Sequence, residues 1–143
     1  MIEKYLCIEP SGDVRWIELE RKPRYNAVYN GEEALSLQDL YPILDCSCCE
    51  QVRTCLRDIV IMVDECGRIK TPPKPHNEIA SQLYLGWHFG GDDICGTAVV
   101  FALRPTPPYG EQDIFPLTPD QEVKVAQILG VELPAKEDPG HAE

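Results

Sequence analysis

What the chain lacks narrows its chemistry first. It has no Gly-x-Ser-x-Gly elbow, no phosphate loop, no dinucleotide fingerprint and no His-Glu-x-x-His, and its three histidines, His76, His88 and His141, are scattered. None of the common hydrolytic, nucleotide-binding or metalloprotease sites is therefore spelled out, and a non-enzymatic protein is expected. Positive charge is scarce: 13 basic against 24 acidic side chains give a net charge of −11. Direct binding to nucleic acid is thereby disfavoured, because it is driven by Lys and Arg displacing counterions from phosphates. No apolar stretch approaches the ~20 residues needed to span a bilayer, and no basic-plus-apolar leader opens the sequence. A soluble, cytoplasmic protein without a membrane partner is the expectation.

What is present fits one compact α+β domain. At 143 residues with 43% hydrophobic side chains, one core can be built without staples. The seven cysteines are an odd number, and Cys7 and Cys95 sit inside apolar stretches as small hydrophobes do. Reduced thiols fit this better than a disulfide framework. The 13 prolines gather near 72–75, 105–108 and 116–119 and mark loops or element starts.

Residues 59–63, IVIMV, are too short for a free-standing helix and rich in β-branched side chains, which reads as a buried central strand. Gly67 is expected to supply a positive φ in the turn after it. A second buried strand is expected over 94–103, apolar on both faces. Segments 5–9 and 14–19 flank Pro10-Ser11-Gly12-Asp13 and read as an opening hairpin. Residues 20–31, with mixed charge, Pro23 and Asn30-Gly31, are expected to be a connection. In the stretch that follows, Leu35, Leu37, Leu40 and Leu44 predict a helix ending before Pro42. Residues 49–55 are expected to hairpin onto 59–63, and TPPKPHN at 71–77 to break the sheet. Asn77 is a cap for a helix over 78–85, leading into a glycine-flanked aromatic loop at 86–91. The clearest local signature is Thr118-Pro119-Asp120-Gln121, which starts a helix stopped by Gly130. The whole reads as a mostly antiparallel, twisted sheet of about five strands with two or three helices packed on one side. The domain is expected to span 1–133, followed by a disordered, charged tail at 134–143.

The series Asp64, Glu65, Gly67, Arg68, then Pro72, Pro73, Asn77, then Gly96, Thr97, Ala98, and finally Leu117, Thr118, Gln121 resembles the bacterial and phage family known only as domain of unknown function 3846. The resemblance covers most of residues 3–129. It implies a setting: family members look like small accessory proteins of phages, plasmids and conjugative elements. It carries no catalytic residue.

Three groups of residues stand out chemically. Cys46, Cys48, Cys49 and Cys55 place four thiols within ten residues and are the candidates for zinc, with Cys66, His76 or His88 to complete a site. The second pair of a structural zinc site is missing, so no cofactor is expected. Asp92 and Asp93, near His88, suit Mg²⁺ or acid–base work, but Gly-Gly-Asp-Asp is also ordinary turn chemistry, and the turn is preferred. Tyr84, Trp87, His88 and Phe89 form the best candidate binding surface, unless they fold inward and complete the core. With Arg68, Lys70 and Lys74 they would suit an anionic ligand such as a nucleotide. The first functional expectation is an accessory protein acting by binding, with its acidic surface offered to a basic face of a host defence or nucleic-acid enzyme. The alternatives are the anionic-ligand binder and the cysteine-cluster zinc protein. Partner identity and oligomeric state are not encoded in these patterns.

Overall fold

The run at 59–63 forms a fully buried strand, though it lies one place in from the edge of the sheet rather than at its centre. In the computed structural model, which describes residues 1–25, 30–106 and 111–136, strand β5 (Ile59–Asp64) is buried at every position. The other strands, in chain order, are β1 (Ile2–Ile8), β2 (Val14–Tyr25), β3 (Asn30–Leu35), β4 (Cys49–Arg53), β6 (Ala98–Thr106) and β7 (Glu111–Phe115). All pair antiparallel in one sheet of seven strands, ordered β3-β2-β1-β6-β5-β4, with β7 also on β6. Four α-helices, α1 (Tyr41–Leu44), α2 (Glu78–Leu83), α3 (Leu85–His88) and α4 (Pro119–Leu129), complete the described elements with a 3-10 turn at Leu37–Asp39.

Strand periodicity divides the apolar residues into two layers. Leu6, Ile8, Ile59, Ile61, Val63, Ala98 and Val100 point to one face, where Ala80 and Leu83 of α2 and Val125 and Leu129 of α4 cover them. Their sequence neighbours Tyr5, Cys7, Val60, Met62, Val99 and Phe101 point to the other, under Leu40 and Leu44. The strands are thus buried on both sides, which is why their sequences are apolar runs rather than alternations. The same division explains β2: Trp16 packs with the first layer and Ile17 and Leu19 belong to the second.

Several expectations are corrected. Helices lie on both faces of the sheet, not one, and the sheet has seven strands rather than about five. Residues 20–25 are not a connection. They continue β2 and pair with β3, Arg21 opposite Leu35 and Lys22 opposite Ala34, with a register shift between Pro23 and Tyr25. Arg21 donates its amide to the Met1 carbonyl, so Pro23, two residues on, turns its nitrogen to the side where β1 has ended and no amide proton is needed. Residues 26–29 lie outside the described residues. The helix expected from the leucine spacing is replaced by β3, the 3-10 turn and α1, and Pro42 falls inside α1, in its first turn, where its missing amide costs nothing. Gly67 does not take a positive φ. A side chain would be crowded there instead, since a Cβ would lie 3.0 Å from the Cys95 carbonyl. Strand β6 starts only at Ala98, and β7 was not foreseen.

Other expectations hold. The opening hairpin runs in register from Ile2 opposite Glu20 to Ile8 opposite Val14. Thr118 and Gln121 form a reciprocal capping box, and α4 ends at Gly130 in the left-handed conformation. The expectation of a disordered tail from 134 does not hold at its start, where Pro134 accepts a hydrogen bond from Trp16 Nε1 at 2.7 Å and Lys136 pairs with Glu122 at 2.7 Å; residues 137–143, with His141, lie outside the described residues. No helix among the described residues is long and apolar enough to cross a membrane.

Candidate functional site

The chemistry gathers where β5 ends. Asp64 is its last residue, and its Oδ1 accepts from the Cys66 amide at 2.9 Å, closing the turn. Two ammonium groups converge on Oδ2, Lys70 at 2.5 Å and Lys74 at 2.9 Å. Lys74 also donates to the carbonyls of Leu44 and Asp45 at 2.5 and 2.7 Å, and so ties the 65–75 segment to the end of α1. Burial pushes the Asp64 carboxyl up, but hydrogen bonds from Lys70, Lys74 and the Cys66 amide outweigh it and hold the group below the usual carboxylate range.

Beyond this clip the chain doubles back against residues 94–96. The Asn77 amide donates to the Ile94 carbonyl at 2.7 Å and the Gly96 amide to the Pro75 carbonyl at 2.8 Å. His76 and Cys95 lie directly opposite each other between these bonds. Side chains opposite one another in an antiparallel pair share a face, as do residues two apart on one strand. That geometry brings His76, Cys95 and Asp93 together: His76 Nδ1 is 2.5 Å from Asp93 Oδ2 and 3.7 Å from Cys95 Sγ. Arg68 reaches over to Asp93 Oδ1 at 3.8 Å and to Asp92 at 3.7 Å. Burial is the main reason the Cys95 thiol is pushed up; the Asp93 carboxylate adds to it and Arg68 opposes it.

Beside this group lies a cleft of about 60 Å³, lined by Val63, Asp64, Arg68, Tyr84, Asp93 and Cys95 among others. Pockets that hold a nucleotide-sized ligand are ~300 Å³ or more. Lys70 and Lys74 are committed to Asp64 and Arg68 to the paired aspartates. The basic residues named for anionic-ligand binding thus face carboxylates rather than an open cavity.

The aromatic segment is half helix. Of the two alternatives for these aromatics, Tyr84 is half-buried against the core, while Trp87 is 38% exposed and Phe89 83% exposed. A tight turn holds them out: the Gly91 amide donates to the Gly86 carbonyl at 2.8 Å, and a Cβ on Gly91 would stand 2.7 Å from that same oxygen. Trp87 and His88 meet edge to face at 5.6 Å, and His88 Nε2–H donates to the Gln82 carbonyl at 2.7 Å. His88 is therefore not the histidine beside Asp93; His76 is. Sequence reasoning paired the acids with the nearer histidine, and only the cross-strand pairing at 75–77 shows the true partner.

The four clustered cysteines are dispersed over different surroundings. Cys48 donates to Glu65 at 2.7 Å, which pushes its thiol up to about 11. Cys46 and Cys49 are half-buried, and Cys55 is exposed near the Gln82 carbonyl at 3.9 Å. Among the described residues, three metal-ligating side chains come within 4.8 Å of one another only at His76, Asp93 and Cys95. In comparisons with known proteins, no family model matches the chain, and no curated protein and no solved structure matches it significantly.

Proposed function

We propose that the chain is a non-enzymatic accessory protein of a bacterial phage or other mobile element that acts by binding a host protein, as an anti-defence protein does. The observation that carries this reading is Phe89, 83% exposed, with Trp87 beside it at 38%. Large aromatics held out on a tight turn are the residues from which interface hot spots are built. The partner's chemistry follows from charge. Asp92, on the same loop, is 78% exposed, and seven basic residues, Arg15, Arg21, Arg68, Lys70, Lys74, Lys124 and Lys136, are already paired with carboxylates. With a net charge of −11, the surface is complementary to a basic face that carries an apolar pocket for Phe89. The resemblance over residues 3–129 supports the mobile-element setting.

The test is capture from host lysate by the wild-type chain and by Phe89→Ala and Trp87→Ala, at about 50 mM and about 0.5 M salt. One basic partner that is retained by the wild-type chain at low salt, and lost with either substitution or at high salt, is the expected result. Capture that is indifferent to both substitutions overturns the reading.

A further inference from the structure

We propose that His76, Asp93 and Cys95 form a binding site for Zn²⁺. Imidazole nitrogen, thiolate sulfur and carboxylate oxygen are the three donor types that zinc takes from proteins, and three protein donors with an open fourth position is a recurrent zinc arrangement. In a tetrahedral site with zinc–ligand lengths of ~2.0–2.3 Å, neighbouring donor atoms lie ~3.3–3.6 Å apart. His76 Nδ1 and Cys95 Sγ stand at 3.7 Å without any adjustment, and all three donor atoms fall within 4.8 Å of one another. The Nδ1–Oδ2 distance of 2.5 Å is that of a direct hydrogen bond. It has to open by about 0.8 Å to admit the ion, and the His76 side chain, 71% exposed, is free to turn.

The donors are placed by backbone, not by chance contact of long side chains. Hydrogen bonds on either side of the His76–Cys95 pair fix that register. Arg68, at 3.8 Å from Asp93 Oδ1, takes the carboxylate oxygen that faces away from the histidine and turns the other toward it, the outer-shell role that carboxylate ligands commonly require. Binding is balanced in charge: the thiol gives up its proton, the ring proton moves from Nδ1 to Nε2, and one carboxylate and one thiolate neutralise the dication. Water fills the fourth position on the exposed side. Because a thiol proton must leave, affinity rises with pH.

The test uses the full chain, stripped with a chelator under reducing conditions, and ZnCl₂ alone as the probe, with CoCl₂ as a spectroscopic stand-in. Expected is one equivalent of zinc, a thiolate-to-cobalt absorption band, and a loss of affinity in His76→Ala and Cys95→Ser beyond the ~10- to 100-fold that an outer-shell partner is worth. Cys48→Ser and Cys55→Ser should leave the titration unchanged. His76 is exposed, so His76→Ala keeps the test decisive should Cys95→Ser misfold, with circular dichroism reporting the fold. Absence of zinc binding, zinc binding that survives His76→Ala, or binding abolished by Cys48→Ser overturns the proposal.

Discussion

Asn77 and Ile8, 69 positions apart in the chain, are joined by a hydrogen bond of 2.9 Å from the Asn77 carboxamide to the Ile8 carbonyl. The second amide hydrogen goes to the Gly96 carbonyl at 2.9 Å, and the carboxamide oxygen accepts from the Ala80 amide at 3.1 Å, capping α2. One fully buried side chain thus fastens the end of β1, the start of α2 and the segment carrying Cys95. Asn77→Ala removes a donor from each of two carbonyls and the cap from the buried Ala80 amide, and should cost about 2–4 kcal/mol. Asn77→Asp keeps the cap but loses both donors, and should still be clearly less stable than wild type. Urea unfolding checks both; a wild-type midpoint for Asn77→Ala would show that the helix start does not depend on this residue.

Arg21 is 4% exposed and lies between Glu3 and Asp113, with its guanidinium 4.2 Å from the centre of the Phe115 ring and bonded to the Ile114 carbonyl. Removing the cation strands two partly buried carboxylates. Arg21→Met should cost about 3–5 kcal/mol, and adding Glu3→Gln and Asp113→Asn should restore part of it. Failure of the added changes to restore anything would mean that the arginine acts by packing rather than by charge.

Val63 is 6% exposed on the α2 side of β5. Val63→Asp puts an unpaired carboxylate into that layer, a penalty of several kcal/mol and on the order of the whole folding free energy. Loss of a cooperative thermal transition is expected. A transition that persists near the wild-type temperature would exclude β5 from the core.

The Asp64 carboxyl is held below its usual range in the folded protein. A depressed folded value stabilises the native state above the unfolded value of about 3.9, and that contribution disappears as pH falls through the folded value. The urea midpoints of wild type and Asp64→Asn should therefore differ most above about pH 5 and converge as pH falls below the unfolded value of about 3.9. A constant gap across this range would mean that the lysine clip contributes through shape alone.

How far the sequence could be read depended on the range of the interactions. Residues 59–63, the Pro10–Asp13 turn and the Thr118 cap were legible because each is decided by its own neighbours. Leu35, Leu37, Leu40 and Leu44 have helical spacing, yet Leu35 ends a strand because the extension of β2 offers it a partner at Arg21; no local pattern records that partner. The same limit hid the His76, Asp93 and Cys95 group. Its members are 17 and 19 positions apart and meet through a bridge in backbone that prolines keep out of regular strands. The exposure of Phe89 depends on the space around Gly86 and Gly91, which composition does not convey.

Strand β6 lies between β1 and β5, and β7 joins it along the same side as β1. The first two strands and β4–β5 are hairpins that the chain can make as soon as each is synthesised, but the strand that joins them follows both, at Ala98–Thr106. On a growing chain the two hairpins must therefore wait with bare edges, β1 and β5 each lacking a neighbour, until Ala98–Ala102 has emerged. The waiting edges are where a chaperone, or a second nascent copy, would find purchase.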